Sequence, residues 1–129
     1  MRAVDTNLVV RYLTRDDPEQ SPRARALING GPVFMPVTVV LETEWVLRSS
    51  SRLPRAARAE ALRSFVGLPT VTVGDADAVS AALDLFEGGM DFADALHLAL
   101  AAGCDAFATF DRMLVKAAEA AGIPGVQEP

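Results

Sequence analysis

The chain has 129 residues, one cysteine and a net charge of −5, and half of its residues are hydrophobic. This length suits one domain with a hydrophobic core, so we expect a single domain over residues 1–129. One cysteine excludes an internal disulfide, no apolar run approaches the ~20 residues of a membrane span, and the negative charge argues against nucleic-acid binding through bulk positive charge. The composition therefore predicts a cytoplasmic protein that binds no membrane.

Short apolar segments alternate with helical patterns along the whole chain. Glycine pairs at Gly30–Gly31 and Gly88–Gly89 indicate helix ends, and acids around Pro18 indicate a helix start. In chain order, the pattern predicts strands at residues 2–4, 33–35, 70–73, 106–109 and near 126, and helices at residues 6–13, 16–28, 37–48, 54–67, 75–86, 92–102 and 111–121. Such alternation predicts an α/β fold with a parallel sheet covered on both faces.

Two aspartates directly follow predicted strands. Asp5 begins the segment DTN with Thr6 and Asn7, and Thr109 lies two residues before Asp111 on the same face of the extended chain. Each aspartate alone would be an ordinary helix cap. In parallel sheets, however, ligands bind beyond the carboxyl ends of the strands, so we expect both carboxylates at one edge.

The third predicted helix carries two glutamates with different neighbours. Glu44 has Arg48 four residues later, in the favourable order for a helical ion pair. Glu42 has only apolar residues and threonine on its own face of the helix, where an unpaired carboxylate needs a cation or hydrogen bonds. Glu42 is therefore a candidate functional acid, and the alternative is a partly exposed glutamate on a mostly buried helix.

The segment DFADALHL supplies the remaining candidates. A helix cap explains Asp91 well, whereas Asp94 lies one turn inside the helix, so we take Asp94 as the functional acid and Asp91 as a cap or supporting group. Both remain within reach of the third acidic position. His97 is expected to be a buried, hydrogen-bonded helix residue rather than a ligand.

Four acids thus lack a full structural explanation and are expected to lie near one edge: Asp5, Glu42, Asp94 and Asp111. Clustered carboxylates repel one another, so they need protons or a cation. Oxygen ligands without a histidine or cysteine set favour Mg²⁺ or Mn²⁺ over zinc. One or two such ions can activate water and cleave a phosphodiester without a protein nucleophile.

The stretches VDTNLVVRYL, VTVVLETEWVL, DFADALHLALA and ATFDRML resemble, in order and spacing, the PIN-domain family, specifically the VapC-type toxin ribonucleases of prokaryotic toxin–antitoxin pairs. The resemblance implies a three-layer α/β/α domain with a short, mostly parallel central sheet and a Mg²⁺- or Mn²⁺-dependent endoribonuclease site. It also implies structured RNA as substrate, a homodimer, and inhibition by a cognate antitoxin. The family's acids fall on Asp5, Glu42, Asp94 and Asp111, and its accessory polar positions on Thr6, Asn7 and Thr109, with Asp91 beside them.

A cluster of arginines follows the third predicted helix: Arg48, Arg52, Arg55, Arg58 and Arg63, with Glu60 as the only acid among them. They form either a solvated helix face or a surface that contacts RNA or an acidic antitoxin segment. The apolar helices around Trp45 and Phe65 could supply a dimer interface.

The alternative function is a non-catalytic module of the same fold that binds RNA or protein, with its acids serving as caps and ion-pair partners. A phosphatase or receiver-like domain fits less well. The first would need a second aspartate where Asn7 stands, and the only lysine, Lys116, lies inside the last predicted helix.

Overall fold

The computed structural model describes residues 1–129, with five short strands and seven helices. The strands are β1 (Arg2–Ala3), β2 (Val33–Met35), β3 (Val71–Val73), β4 (Phe107–Ala108) and β5 (Val126–Gln127). The helices are α1 (Thr6–Thr14), α2 (Gln20–Asn29), α3 (Val37–Ser49), α4 (Arg55–Val66), α5 (Ala76–Glu87), α6 (Phe92–Leu100) and α7 (Arg112–Ala120). Every predicted element is present, and none of the helices is long and apolar enough to cross a membrane.

The strands are parallel, and the central one of the larger sheet is β2. In that sheet β2 lies between β1 and β3, with Val33 opposite Arg2 and Val71, whereas β4 and β5 pair with each other in a separate two-stranded sheet. The sequence predicts one sheet, and the structure has two. β1 and β4 have only two residues each, so they offer little backbone for hydrogen bonds that would join the two sheets. Helices cover these strands in the predicted three-layer α/β/α arrangement.

The hydrophobic core lies between the strands and the helices. Val33 and Met35 of β2 are fully buried, and the rings of Phe86 and Phe92 meet edge to face with centroids 5.4 Å apart, which holds α5 against α6. Phe65 of α4 is also fully buried, so its own side chain belongs to the core. Trp45, in contrast, is 58% exposed.

The acids around Pro18 lie at a helix start, as predicted, although α2 begins at Gln20 and not at residue 16. Asp17 Oδ1 accepts hydrogen bonds from the backbone N–H groups of Gln20 and Glu19, and these bonds lower the pKa of the Asp17 carboxyl. At the start of α5, in contrast, Asp75 has a left-handed φ of 50° and its side chain makes no capping hydrogen bond.

A buried ion pair joins α3 to α4. Arg58 Nε donates to Glu44 Oε2 at 2.9 Å, and Arg58 and Glu44 are only 8% and 3% exposed. The predicted pairing of Glu44 with Arg48 is therefore wrong: the acid on the buried side of α3 is Glu44, and its partner comes from the next helix.

Three arginines of the predicted arginine cluster make side-chain contacts within the chain. Arg58 is buried, and Arg55 donates to the carbonyl oxygens of Phe86 and Met90, both at 2.8 Å. Arg63 pairs with Asp84 and Glu87 of α5. Of the residues in this prediction, Arg48 and Arg52 remain exposed.

Candidate active site

Asp5 and Asp111 both lie where a strand gives way to a helix. Asp5 Oδ1 accepts from the Leu8 N–H at 3.1 Å at the start of α1, and Asp111 Oδ1 accepts from Met113 and Leu114 at 3.0 and 3.1 Å at the start of α7. Each carboxylate thus caps its helix with one oxygen. The second oxygen is available to a cation, so a capping role and a ligand role are compatible.

Glu42 is tied to the end of β1 by a neighbour of Asp5. Thr6 Oγ1 donates to Glu42 Oε1 at 2.8 Å, which links α1 to α3. Glu42 is exposed, so the expectation of an unpaired carboxylate in apolar surroundings is wrong. Because Thr6 directly follows Asp5, this hydrogen bond places Glu42 near the end of the first strand.

Asp94 is a candidate acid whose pKa is shifted by its surroundings. Partial burial raises the pKa of the Asp94 carboxyl, and the negative charges of Asp91 and Asp111 raise it further, while His97 lowers it. Asp111 caps a different helix, so this charge effect reaches from the start of α7 to the first turn of α6. His97 itself is exposed, contrary to the prediction that it is buried.

Two supporting side chains hold these acids in place. Asp91 Oδ2 accepts from the Asp94 N–H at 3.1 Å and caps α6, and Asp91 Oδ1 lies 3.6 Å from Arg48 Nη1. Thr109 Oγ1 accepts from the Asp111 N–H at 3.0 Å, which orders the turn between β4 and α7. Asp91 and Thr109 therefore position the backbone of the two acids Asp94 and Asp111.

A cavity of about 370 Å³ adjoins Asp5 between α1 and α2. Its polar lining includes Asn7, Arg11, Gln20 and Arg23, and Arg11 Nε donates to Gln20 Oε1 at 2.8 Å. Sequence analysis missed these arginines, although the spacing of four between Asn7 and Arg11 indicates a shared helix face. It also missed the contact between Arg48 and Asp91, which no local pattern signals.

The donor chemistry of this region suits a hard divalent cation. All candidate ligands are carboxylate oxygens, which Mg²⁺ and Mn²⁺ prefer. As the side chains stand, no three acidic, histidine or cysteine residues converge closely enough to hold one ion. Uncompensated carboxylates repel one another. Burial, and then the negative charges of Asp91 and Asp111, accordingly raise the pKa of Asp94.

The fold and these side chains define an α/β protein with an acidic site at the carboxyl ends of short parallel strands. The family model of the PIN domain matches residues 2–120, and the chain therefore belongs to the PIN-domain family, as its resemblance predicted. A search of curated proteins finds no match.

Among solved structures, the chain is similar to the crystal structure of VapC20 from Mycobacterium tuberculosis, a toxin that cleaves the sarcin–ricin loop. The identity is 22%, the TM-score is 0.46, and the match covers 100% of both chains. A likeness of this degree is too low to support a conclusion about activity.

Proposed function

We propose that this chain is a Mg²⁺- or Mn²⁺-dependent endoribonuclease that acts as the toxin of a type II toxin–antitoxin pair. The observation that carries this proposal is that Asp5 and Asp111 each follow a parallel strand and cap a helix with one carboxylate oxygen, which leaves the other oxygen available to a cation. Burial, and then the charges of Asp91 and Asp111, raise the pKa of Asp94, which agrees with an acidic site. Membership of the PIN-domain family supports the same proposal.

Each polar residue of the site has a distinct role in this proposal. Asp5, Glu42, Asp94 and Asp111 hold the cation, which when bound lowers the pKa of a water molecule and offsets the charge of the phosphodiester. Thr6 orients Glu42 through its hydrogen bond, and Thr109 and Asp91 order the first turns of α7 and α6. Asn7 and Arg11 line the cavity beside Asp5, where the RNA backbone can approach.

Arg48, near the end of α3, contacts Asp91, the acid that caps α6. Its guanidinium is half exposed and lies 3.6 Å from Asp91, a long contact that a phosphate could replace. Arg48, and Arg52 beyond the end of α3, keep the proposed role of contacting RNA or an acidic antitoxin segment. Arg55 and Arg58 also belong to that predicted contact, but both already hydrogen-bond within the chain, so we assign the contact first to Arg48 and Arg52.

The remaining features of the proposal concern partners and location. We place the protein in the cytoplasm, with an RNA substrate and a cognate antitoxin that covers the acidic site. A homodimer is also part of the proposal. The half-exposed indole of Trp45 on α3 supports an interface on that helix, because large exposed aromatic side chains are enriched where proteins associate.

Metal removal tests the proposal. Purified protein is incubated with end-labelled ribosomal and transfer RNA in EDTA, and then with excess MgCl₂ or MnCl₂. We expect no cleavage in EDTA and discrete fragments after either divalent ion is added, because the acids need the cation to activate water. Equal cleavage in EDTA and in Mn²⁺ would contradict metal dependence. An unrelated exposed-acid variant, Asp77→Asn, is the control and should cleave like the wild type.

A non-catalytic binding module is the second candidate, because three of the acids also have structural roles. Asp5, Asp91 and Asp111 each accept hydrogen bonds from the backbone at a helix start. In that case the protein would retain RNA on a filter in Mn²⁺ and leave it intact.

A further inference from the structure

Two large apolar side chains stand in solvent next to Asp111. Phe110 is 85% exposed and Met113 is 81% exposed, although they flank a candidate catalytic acid. The core side of α7 is formed by Leu114 and Ala118, which are buried. Phe110 and Met113 therefore do not serve the packing of this helix, and their exposure needs another explanation.

Basic side chains flank this apolar pair. Arg112 and Lys116 lie one helical turn apart on α7, and both are exposed. Arg112 Nε donates to Glu128 Oε1 at 3.0 Å, which leaves its terminal nitrogens to other partners. Lys116 is the only lysine of a chain whose net charge is −5. Phe110, Arg112, Met113 and Lys116 are here named the α7 platform.

We propose that the α7 platform binds an unpaired nucleotide of the RNA substrate beside the bond that is cleaved; this rests on the proposed nuclease function. The acidic site alone repels a polyanion, so cations next to it must contribute to holding the strand. In this proposal Arg112 and Lys116 contact phosphates of the bound strand. Phe110 offers a free aromatic face, and a base can stack on it only when the base is not paired within a duplex.

The combination of aromatic and basic side chains favours RNA over a protein partner at this surface. Phe110 is exposed and precedes two exposed cations, Arg112 and Lys116, along the start of α7. Exposed aromatic and basic side chains together are what single-stranded nucleic acid recognises. The apolar area is continuous in sequence with Asp111, so a strand that reaches the acids passes this surface. An acidic antitoxin segment would also pair with Arg112 and Lys116, whereas an RNA strand brings both the phosphates for these cations and a flat base for Phe110.

Steady-state cleavage of a short single-stranded RNA tests the platform. We expect Phe110→Ala to raise KM about 10-fold, the effect of losing one stacked base, with a smaller change in kcat. Phe110→Trp should restore KM, since tryptophan keeps the stacking surface. Leu100→Ala, an exposed apolar residue at the far end of α6 from Asp94, is the matched control and should leave KM unchanged. Replacing Arg112 and Lys116 with glutamine should reduce the salt dependence of log KM by about 0.7 for each cation.

A binding readout keeps the two proposals separate. The same RNA with 2-aminopurine at one position should lose fluorescence when it binds the wild type, and not when it binds Phe110→Ala. If the wild type quenches the probe but cleaves no RNA, the platform stands and the nuclease function fails. If the wild type cleaves RNA and Phe110→Ala leaves both KM and quenching unchanged, the platform is wrong. Loss of a dimer in Phe110→Ala with unchanged RNA binding would also overturn it, because the surface would then bind a second copy.

Discussion

The Asp94→Asn variant is expected to cleave RNA at least about 100-fold more slowly than the wild type in Mn²⁺, which corresponds to ~3 kcal/mol of lost transition-state stabilisation. Asparagine keeps the size of the side chain but removes the charge that a divalent cation needs. Asp94 is partly buried, and the charges of Asp91 and Asp111 act on its carboxyl group, so in this account its own charge helps to hold the cation. The measurement is a single-turnover cleavage rate at saturating protein and Mn²⁺.

Two control variants make this result specific. Asp77→Asn removes an exposed charge from the start of α5, which lies beside the end of α6 farthest from Asp94, and should leave the rate unchanged. Asp91→Asn should reduce the rate less than Asp94→Asn does, because asparagine can still cap α6. A larger loss in Asp91→Asn than in Asp94→Asn would identify Asp91 as the third acid of the site.

The same variant should affect stability in the opposite direction when no divalent ion is present. The folded-state pKa of Asp94 is raised, so the folded protein holds that proton more tightly than the unfolded chain. The resulting penalty is absent below the unfolded pKa and develops as the pH rises through the folded pKa. In EDTA at neutral pH we therefore expect Asp94→Asn to melt at a higher temperature than the wild type, with the difference disappearing at acidic pH.

The second large effect concerns the buried ion pair and not the site. Arg58→Met is expected to lower the free energy of unfolding by about 3–5 kcal/mol, because it leaves the Glu44 carboxylate buried without its partner. A small domain has only about 5–15 kcal/mol in total, so much of the stability would be lost. Urea denaturation followed by circular dichroism gives the difference directly.

A double variant and an exposed pair serve as controls for this result. Glu44→Leu combined with Arg58→Met removes both charges and should recover most of the stability, since an apolar pair of similar volume replaces a buried ion pair well. Arg63→Met breaks exposed ion pairs with Asp84 and Glu87 and should cost at most about 1 kcal/mol. If Arg58→Met and Arg63→Met destabilise the protein equally, the Glu44–Arg58 contact is not the buried pair described here.

The order of the elements could be predicted from sequence because the signals are local. Glycine pairs end α2 and α5 at Gly30 and Gly88, and the short apolar strands separate the helices clearly. The placement of Asp5 and Asp111 followed from the same pattern, because each residue directly follows a predicted strand. The start of each of their helices is then fixed by the hydrogen bonds that the carboxylate itself accepts.

The environment of the glutamates on α3 could not be predicted in the same way. Apolar residues lie on all sides of the helix VTVVLETEWVLR, so the periodicity of its apolar residues does not show which face is buried. Arg48 offered Glu44 a nearby partner, whereas the actual partner, Arg58, comes from the following helix. Glu42, expected to be poorly solvated, is exposed and accepts from Thr6 of α1. Contacts between residues distant in sequence decide both cases.

Titration with MnCl₂ in a calorimeter is the most direct test of the claim that the acids form one cation site. The wild type should bind Mn²⁺ saturably, and Asp94→Asn and Asp111→Asn should each weaken that binding at least about 10-fold, while Asp77→Asn should not. Wild-type protein that takes up no Mn²⁺, or binding of equal strength in Asp94→Asn, Asp111→Asn and the wild type, would contradict the account.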